Sequence, residues 1–154
     1  MYKFFQYNWQ VRDEWLAWCE QLPKEELLKE RVGGQKNILH TLLHIIDVEY
    51  SWVRAIQGKE DIPFDFRSYT ELERVKEISR EYREEIQEFL QRNDASSGDW
   101  SVTAPWMEGS RFTKDEILHH IIAHEIHHIG QLSIWARELG LDPVSANVIF
   151  RGLF

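Results

Sequence analysis

Seven histidines are spread unevenly along the 154-residue chain. Five of them, His119, His120, His124, His127 and His128, fall in one stretch, Ile117 to Leu139. His124 and His128 are four residues apart, which makes them neighbours on one helical face. Two imidazoles at this spacing can chelate one divalent ion, and imidazole suits Zn, Ni, Cu and Fe. The pair needs a third ligand. His40 and His44 lie on a second apolar segment, so a second helix can supply it, and Asp47 stands beside His44 three residues on. His119 and His127 lie off the 124/128 face and read as surface or hydrogen-bonded residues. His120 lies on that face one turn earlier, as His40 does relative to His44. Either can serve as a partner to a ligand, as a proton acceptor or as packing.

A competing motif overlaps the pair. His124-Glu-Ile-His-His128 satisfies H-E-x-x-H, in which Glu125 is the general base of a zinc metalloprotease. The longer H-E-x-x-H-x-x-G-x-x-H form fails, because position 131 is Gln and position 134 is Ile. A protease also needs an edge strand to bind its substrate, for which this chain offers little sequence.

The elements that must carry these residues are helical. The histidine segment opens on Thr113-Lys-Asp-Glu116, a capping box, and closes on Glu138-Leu-Gly140, a glycine stop followed by Asp142-Pro143. Apolar residues at 117, 118, 121, 122, 129, 132 and 136 follow helical spacing. A first helix is expected from Tyr7 to Gln21, with Phe5, Tyr7, Trp9 and Trp15 as core. Leu22 to Gln35 is a connection with short turns at Lys24 to Glu30 and a break at Gly33-Gly34. Lys36 to Gln57 is a second helix, on which Leu39, Leu42, Leu43, Ile46, Tyr50 and Val53 repeat at three and four. Lys59 to Ser68 is a loop. Ser68-Tyr-Thr-Glu71 reads as another capping box, opening a third helix to Arg92 with an inner stripe through Leu72, Val75, Ile78, Ser79, Tyr82, Ile86, Phe89 and Leu90. In the long connection that follows, Ser96-Ser-Gly98 marks a turn, and Trp100 to Thr103 is expected to pair with Ser110 to Phe112 as a hairpin. Asp142-Pro143 caps a final helical turn through Ile149, and the apolar Leu153-Phe154 terminus is expected to pack.

Composition bounds the remainder. Apolar residues make up 43% of the chain, with seven Trp, eight Phe and five Tyr, enough for a core in one all-α domain over residues 1–154. The formal net charge of −8 argues against binding nucleic-acid phosphates, which needs Lys and Arg. Cys19 is the single cysteine, so neither an intrachain disulfide nor a cysteine zinc cluster is available. The first residues lack the apolar core and cleavage site of a signal peptide, and no apolar run is long enough to span a membrane. A cytoplasmic protein is expected. Four amphipathic segments joined by loops read as a four-helix bundle.

The sequence resembles the DinB/YfiT-like superfamily of small bacterial four-helix proteins over nearly its whole length. The resemblance rests on LHTLLHIIDVEYSW at 39–52, on HIIAHEIHHIGQ at 120–131 and on LGLDP at 139–143. It implies an up-down-down-up bundle, often dimeric, holding one Zn or Ni ion through His44, His124 and His128, with Gln131 near the pocket. Related enzymes use such a metal to activate a low-molecular-weight thiol, such as bacillithiol or mycothiol, for transfer to an electrophile. The resemblance therefore implies a metal-dependent thiol S-transferase acting as a homodimer. The alternatives are a non-catalytic metal-binding or stress-response protein, a helical dimerisation module with structural histidines, and the metalloprotease.

Overall fold

The computed structural model describes residues 1–93 and 101–154. The chain is mostly helical. Helix α1 spans Tyr2–Trp18 and continues as a 3-10 turn at Cys19–Gln21. The short α2 covers Lys24–Leu28, α3 Ile38–Ile56, α4 Leu72–Asn93 and α5 Lys114–Glu138. Strands β1, Ser101–Val102, and β2, Phe112–Thr113, pair antiparallel, with Val102 opposite Phe112. This is the expected hairpin; its Trp100 and the expected turn at Ser96 to Gly98 lie outside the described residues. No helix among the described residues is long and apolar enough to cross a membrane.

Local chemistry sets the ends of the site-bearing helices. Asn37 caps α3, its side chain accepting from the His40 backbone N–H at 2.7 Å. Thr113 and Glu116 form the capping box of α5 in both directions. At the other end of α5 the Gly140 N–H donates to the Arg137 carbonyl and the Leu141 N–H to the Ala136 carbonyl, each at 3.0 Å. This double closure needs a left-handed residue, and Gly140 supplies it with φ +72°.

Three expectations need correction. Helix α1 starts at Tyr2 rather than Tyr7, because the aromatics before Tyr7 are already on its inner face: Phe5 is fully buried. The box at Ser68 does not form. The Ser68 hydroxyl bonds Asp65, which caps a separate 3-10 turn at Phe66–Ser68, and Glu71 pairs with Lys24. Helix α4 consequently starts at Leu72. The final helical turn is also absent. Residues 141–147 run without regular structure and are strapped to α1: Tyr7 donates to the Ala146 carbonyl at 2.7 Å and Trp18 to the Asp142 carbonyl at 2.9 Å. Arg151 then clamps Glu14 through two bonds of 2.9 and 3.1 Å. Leu153 packs on the core, whereas Phe154 touches Phe4 but stays 77% exposed.

Helix α3 packs against both α4 and α5, and α1 against the same two. The buried apolar side chains form two clusters. On α3 the change from one to the other falls between Ile46 and Tyr50, and on α5 between Ile122 and Ile129. Glu49 and Glu125 occupy these junctions, each 1% exposed. Between them lies Arg12 of α1, also 1% exposed. Its Nε and Nη2 hold Glu125 at 2.9 and 2.6 Å, its Nη1 holds Glu49 at 2.7 Å, and Trp9 Nε1 donates to Glu49 at 2.8 Å. The four carboxylate oxygens thus each receive a donor, the condition for burying ions.

Candidate metal centre

Helices α3 and α5 bring His44, His124 and His128 together, with a ligating nitrogen from each within 4.8 Å of the others. His124 Nε2 lies 3.1 Å from His44 Nε2 and 3.1 Å from His128 Nε2. Nitrogens bound at ~2.1 Å to one ion in tetrahedral to octahedral arrangement stand ~3.0–3.4 Å apart. The two separations centred on His124 therefore match those around a divalent ion. His44 and His124 are half-buried and His128 is 7% exposed, so the group has a protein-backed side and an open side.

The electrostatics favour ligation. Burial, followed by the charge of His128, lowers the His44 pKa to about 4. Burial and the neighbouring imidazoles lower that of His124 to about 3. His128 is also lowered, chiefly by burial. All three are neutral at pH 7 and present lone pairs, the form a metal requires.

The surroundings orient the ligands. His128 Nδ1 lies 2.8 Å from Gln131 Oε1. Since that oxygen only accepts, Nδ1 carries the proton and Nε2 is left for the centre. The 32–36 loop passes close to Gln131. A Cβ on Gly34 would stand 2.7 Å from Thr41 Oγ1, 2.9 Å from the Trp135 ring and 3.0 Å from Gln131 Oε1. With φ +51° as well, only glycine lets this loop close over Gln131. Trp135 Nε1 fixes the loop by donating to the Val32 carbonyl at 3.2 Å.

The remaining histidines are not brought into the group. His40 uses both nitrogens, accepting from Asn37 at 3.1 Å and donating to the Tyr69 carbonyl at 2.9 Å. It ties the start of α3 to the segment before α4. His120 is exposed, its ring 5.7 Å from those of Trp52 and His124. His119 and His127 are exposed, and His127 contacts Gln131 at 3.2 Å. Glu125, the base of the metalloprotease reading, has both oxygens on Arg12 and is 1% exposed, so it is withdrawn from any reacting group. Cys19 is fully buried, and burial pushes its thiol up to about 12, which removes it as a nucleophile.

Sequence reasoning missed Arg12, Glu49 and the Gly34–Thr41 contact. The first two carried a signal. Arg12 falls on the stripe through Phe5, Trp9 and Leu16, and Glu49 on that through Leu42, Ile46 and Val53. A charge on an apolar stripe requires a buried partner.

Three neutral imidazoles converging across two helices could hold a metal ion. The DinB family model matches residues 1–151, and this chain belongs to the DinB family. It is 63% identical over 153 residues to the uncharacterized protein YizA of Bacillus subtilis, covering 99% of this chain and 96% of that one. It is 22% identical over 147 residues to protein DinB of the same organism, covering 90% and 86%.

Proposed function

We propose that this protein holds one Zn or Ni ion on His44, His124 and His128 and acts as a metal-dependent thiol S-transferase. The observation that carries the reading is the pair of 3.1 Å Nε2 separations centred on His124, on a cluster open on one side. Bound there, the ion supplies a Lewis-acidic position that lowers the pKa of a small thiol and so favours the nucleophilic thiolate. The chain contributes orientation. Gln131 fixes the His128 tautomer, and burial keeps the imidazoles unprotonated. Phe66, its ring 6.5 Å from that of His44, gives the open side an apolar flank. The thiol class is supported by family membership and by the open position, which a closed four-ligand structural site lacks.

We read residues 1–154 as one up-down-down-up bundle domain that pairs as a homodimer in the cytoplasm. Exposed apolar side chains on α5, Ile126 and Ile134, and in the tail, Ile149, Phe150 and Phe154, support the pairing. The lone buried Cys19 suits a reducing compartment.

The test is elemental analysis of untagged protein beside a His124→Ala variant. About one equivalent of Zn or Ni, lost in the variant, is expected. No metal in the folded wild type, even after addition, overturns the metal reading. With metal in place, His44→Ala should abolish thiol transfer in a screen of small thiols against electrophiles. A loaded protein that turns over none of them would be a metal-binding protein without catalysis.

A further inference from the structure

The three imidazoles come from two helices, and only part of their arrangement is set locally. His124 and His128 are four apart on α5, so the helix itself fixes their spacing. His44 sits on α3 and meets them across the helix interface, its Nε2 3.1 Å from that of His124. Atoms on separate helices keep such a distance only if α3 and α5 keep their register. A shift of ~1 Å along the line between them takes the gap outside the ~3.0–3.4 Å that one ion requires. Apolar packing does not hold register so closely, because repacked cores lose uniqueness before they lose stability. Here the two apolar clusters meet close to the histidines, between Ile46 and Tyr50 on α3 and between Ile122 and Ile129 on α5.

The Arg12, Glu49 and Glu125 cluster fills that junction. Glu125 follows His124 by one residue, and Glu49 follows His44 by five, a rise of about 7.5 Å along α3. Both carboxylates bind one guanidinium. Glu125 takes the Nε and Nη2 edge at 2.9 and 2.6 Å, and Glu49 takes Nη1 at 2.7 Å. The other Glu49 oxygen accepts from Trp9 Nε1 at 2.8 Å. A guanidinium is a planar, rigid fork, so these bonds fix direction as well as distance. Each carboxylate thus has one place relative to α1, and α3 and α5 have one place relative to each other.

Stability does not account for the cluster. Apolar side chains of similar volume often join such helices as well or better, because no ions then have to leave water. What a buried ion cluster adds is register. That also gives a task to the Glu125 of the His124-Glu-Ile-His-His128 motif, both of whose oxygens are on Arg12. We propose that Arg12, Glu49 and Glu125 are positioning residues for the metal centre: they lock α3 against α5 so that His44 completes the site that His124 and His128 begin. This role rests on the metal reading above.

The test is Zn²⁺ affinity of the full chain, by competition with a chromophoric chelator. Wild type is compared with a triple variant (Arg12→Met, Glu49→Leu and Glu125→Leu), with His44→Ala, and with the two combined, thermal unfolding showing that each is folded. The triple variant should bind Zn²⁺ at least about tenfold more weakly than wild type, at little cost in Tm. In the His44→Ala background the same replacement should change affinity by less than about twofold, since the residue it positions is gone. Removing carboxylate charge near the ion, or loosening the whole fold, weakens both backgrounds alike. An equal loss in both therefore overturns the positioning role, as does wild-type affinity in the triple variant. Arg12→Lys is run beside it in both backgrounds, because it keeps the cation without the fork and stands in if the triple variant does not fold. It should weaken Zn²⁺ binding when His44 is present and leave it unchanged when His44 is absent; affinity equal to wild type overturns the role. Wild-type protein that takes up no Zn²⁺ overturns the metal reading and this role with it, whereas uptake shared equally by wild type and variants sinks the positioning role alone.

Discussion

Three imidazoles whose Nε2 atoms approach to 3.1 Å cannot all keep a proton there. With Nδ1 of His128 committed to Gln131, its Nε2 is an acceptor, and His124 can donate to one neighbour only. The group is thus poised to present lone pairs to a metal rather than to gain protons from water. The pH behaviour follows. The folded pKa values, about 4 for His44 and about 3 for His124, lie below the ordinary ~6.5 of an unfolded chain. Stability from these groups is fully present above pH ~6.5 and is lost as pH falls from there through the folded values. Metal-free protein should therefore show a falling Tm on acidification from about pH 6.5 toward 4, while metal-loaded protein should hold its Tm until protons displace the ion. Thermal scans and metal release across that range check both. Gln131→Leu should weaken metal binding by about 10–100-fold without unfolding the chain, measured by competition with a chromophoric chelator. His124 and His128 were legible because a spacing of four is a helical contact. The job of Gln131 was not, because it depends on which atom its amide turns to His128, which no spacing encodes.

At the scale of elements, the sequence shows most of the helices because their apolar stripes and stops are local. The Thr113 box and the Gly140 stop both form. The Ser68 box fails for an equally local reason: Asp65 reaches the Ser68 hydroxyl first, and Lys24 of another element takes Glu71. A pattern of residue types cannot rank such competitors. Thr113→Ala should cost about 1 kcal/mol, read from urea unfolding, with the metal content unchanged. Gly34→Ala should act differently. A methyl 3.0 Å or less from Thr41, Trp135 and Gln131 on a left-handed backbone pushes the loop off α5. It should weaken metal binding as Gln131→Leu does, and lower Tm besides.

Across the whole molecule, the least sequence-legible feature is the Arg12, Glu49 and Glu125 cluster, because it joins three helices. Its residues betray themselves only as charges on apolar stripes. Burial raises the Glu125 pKa even against the pull of Arg12, so this carboxylate takes up a proton more readily once the guanidinium is removed. Arg12→Met should destabilise the protein by about 3–5 kcal/mol at neutral pH, because it leaves two carboxylates without their cation. The deficit should shrink on acidification as Glu125 becomes neutral. A triple apolar replacement of Arg12, Glu49 and Glu125 should restore much of the loss. Denaturant unfolding of the single and triple variants at two pH values separates these outcomes.

The strap from residue 142 to 151 orders events during synthesis. The hydroxyl of Tyr7 waits for a carbonyl 139 residues later in the chain. At ~5–20 residues per second, α1 emerges from the ribosome roughly 7 to 28 seconds before the segment that covers it. Through that interval Tyr7 and Trp18 remain uncovered on a helix already made. The nascent chain is then most open to chaperones, and to neighbouring copies on the same message, along α1.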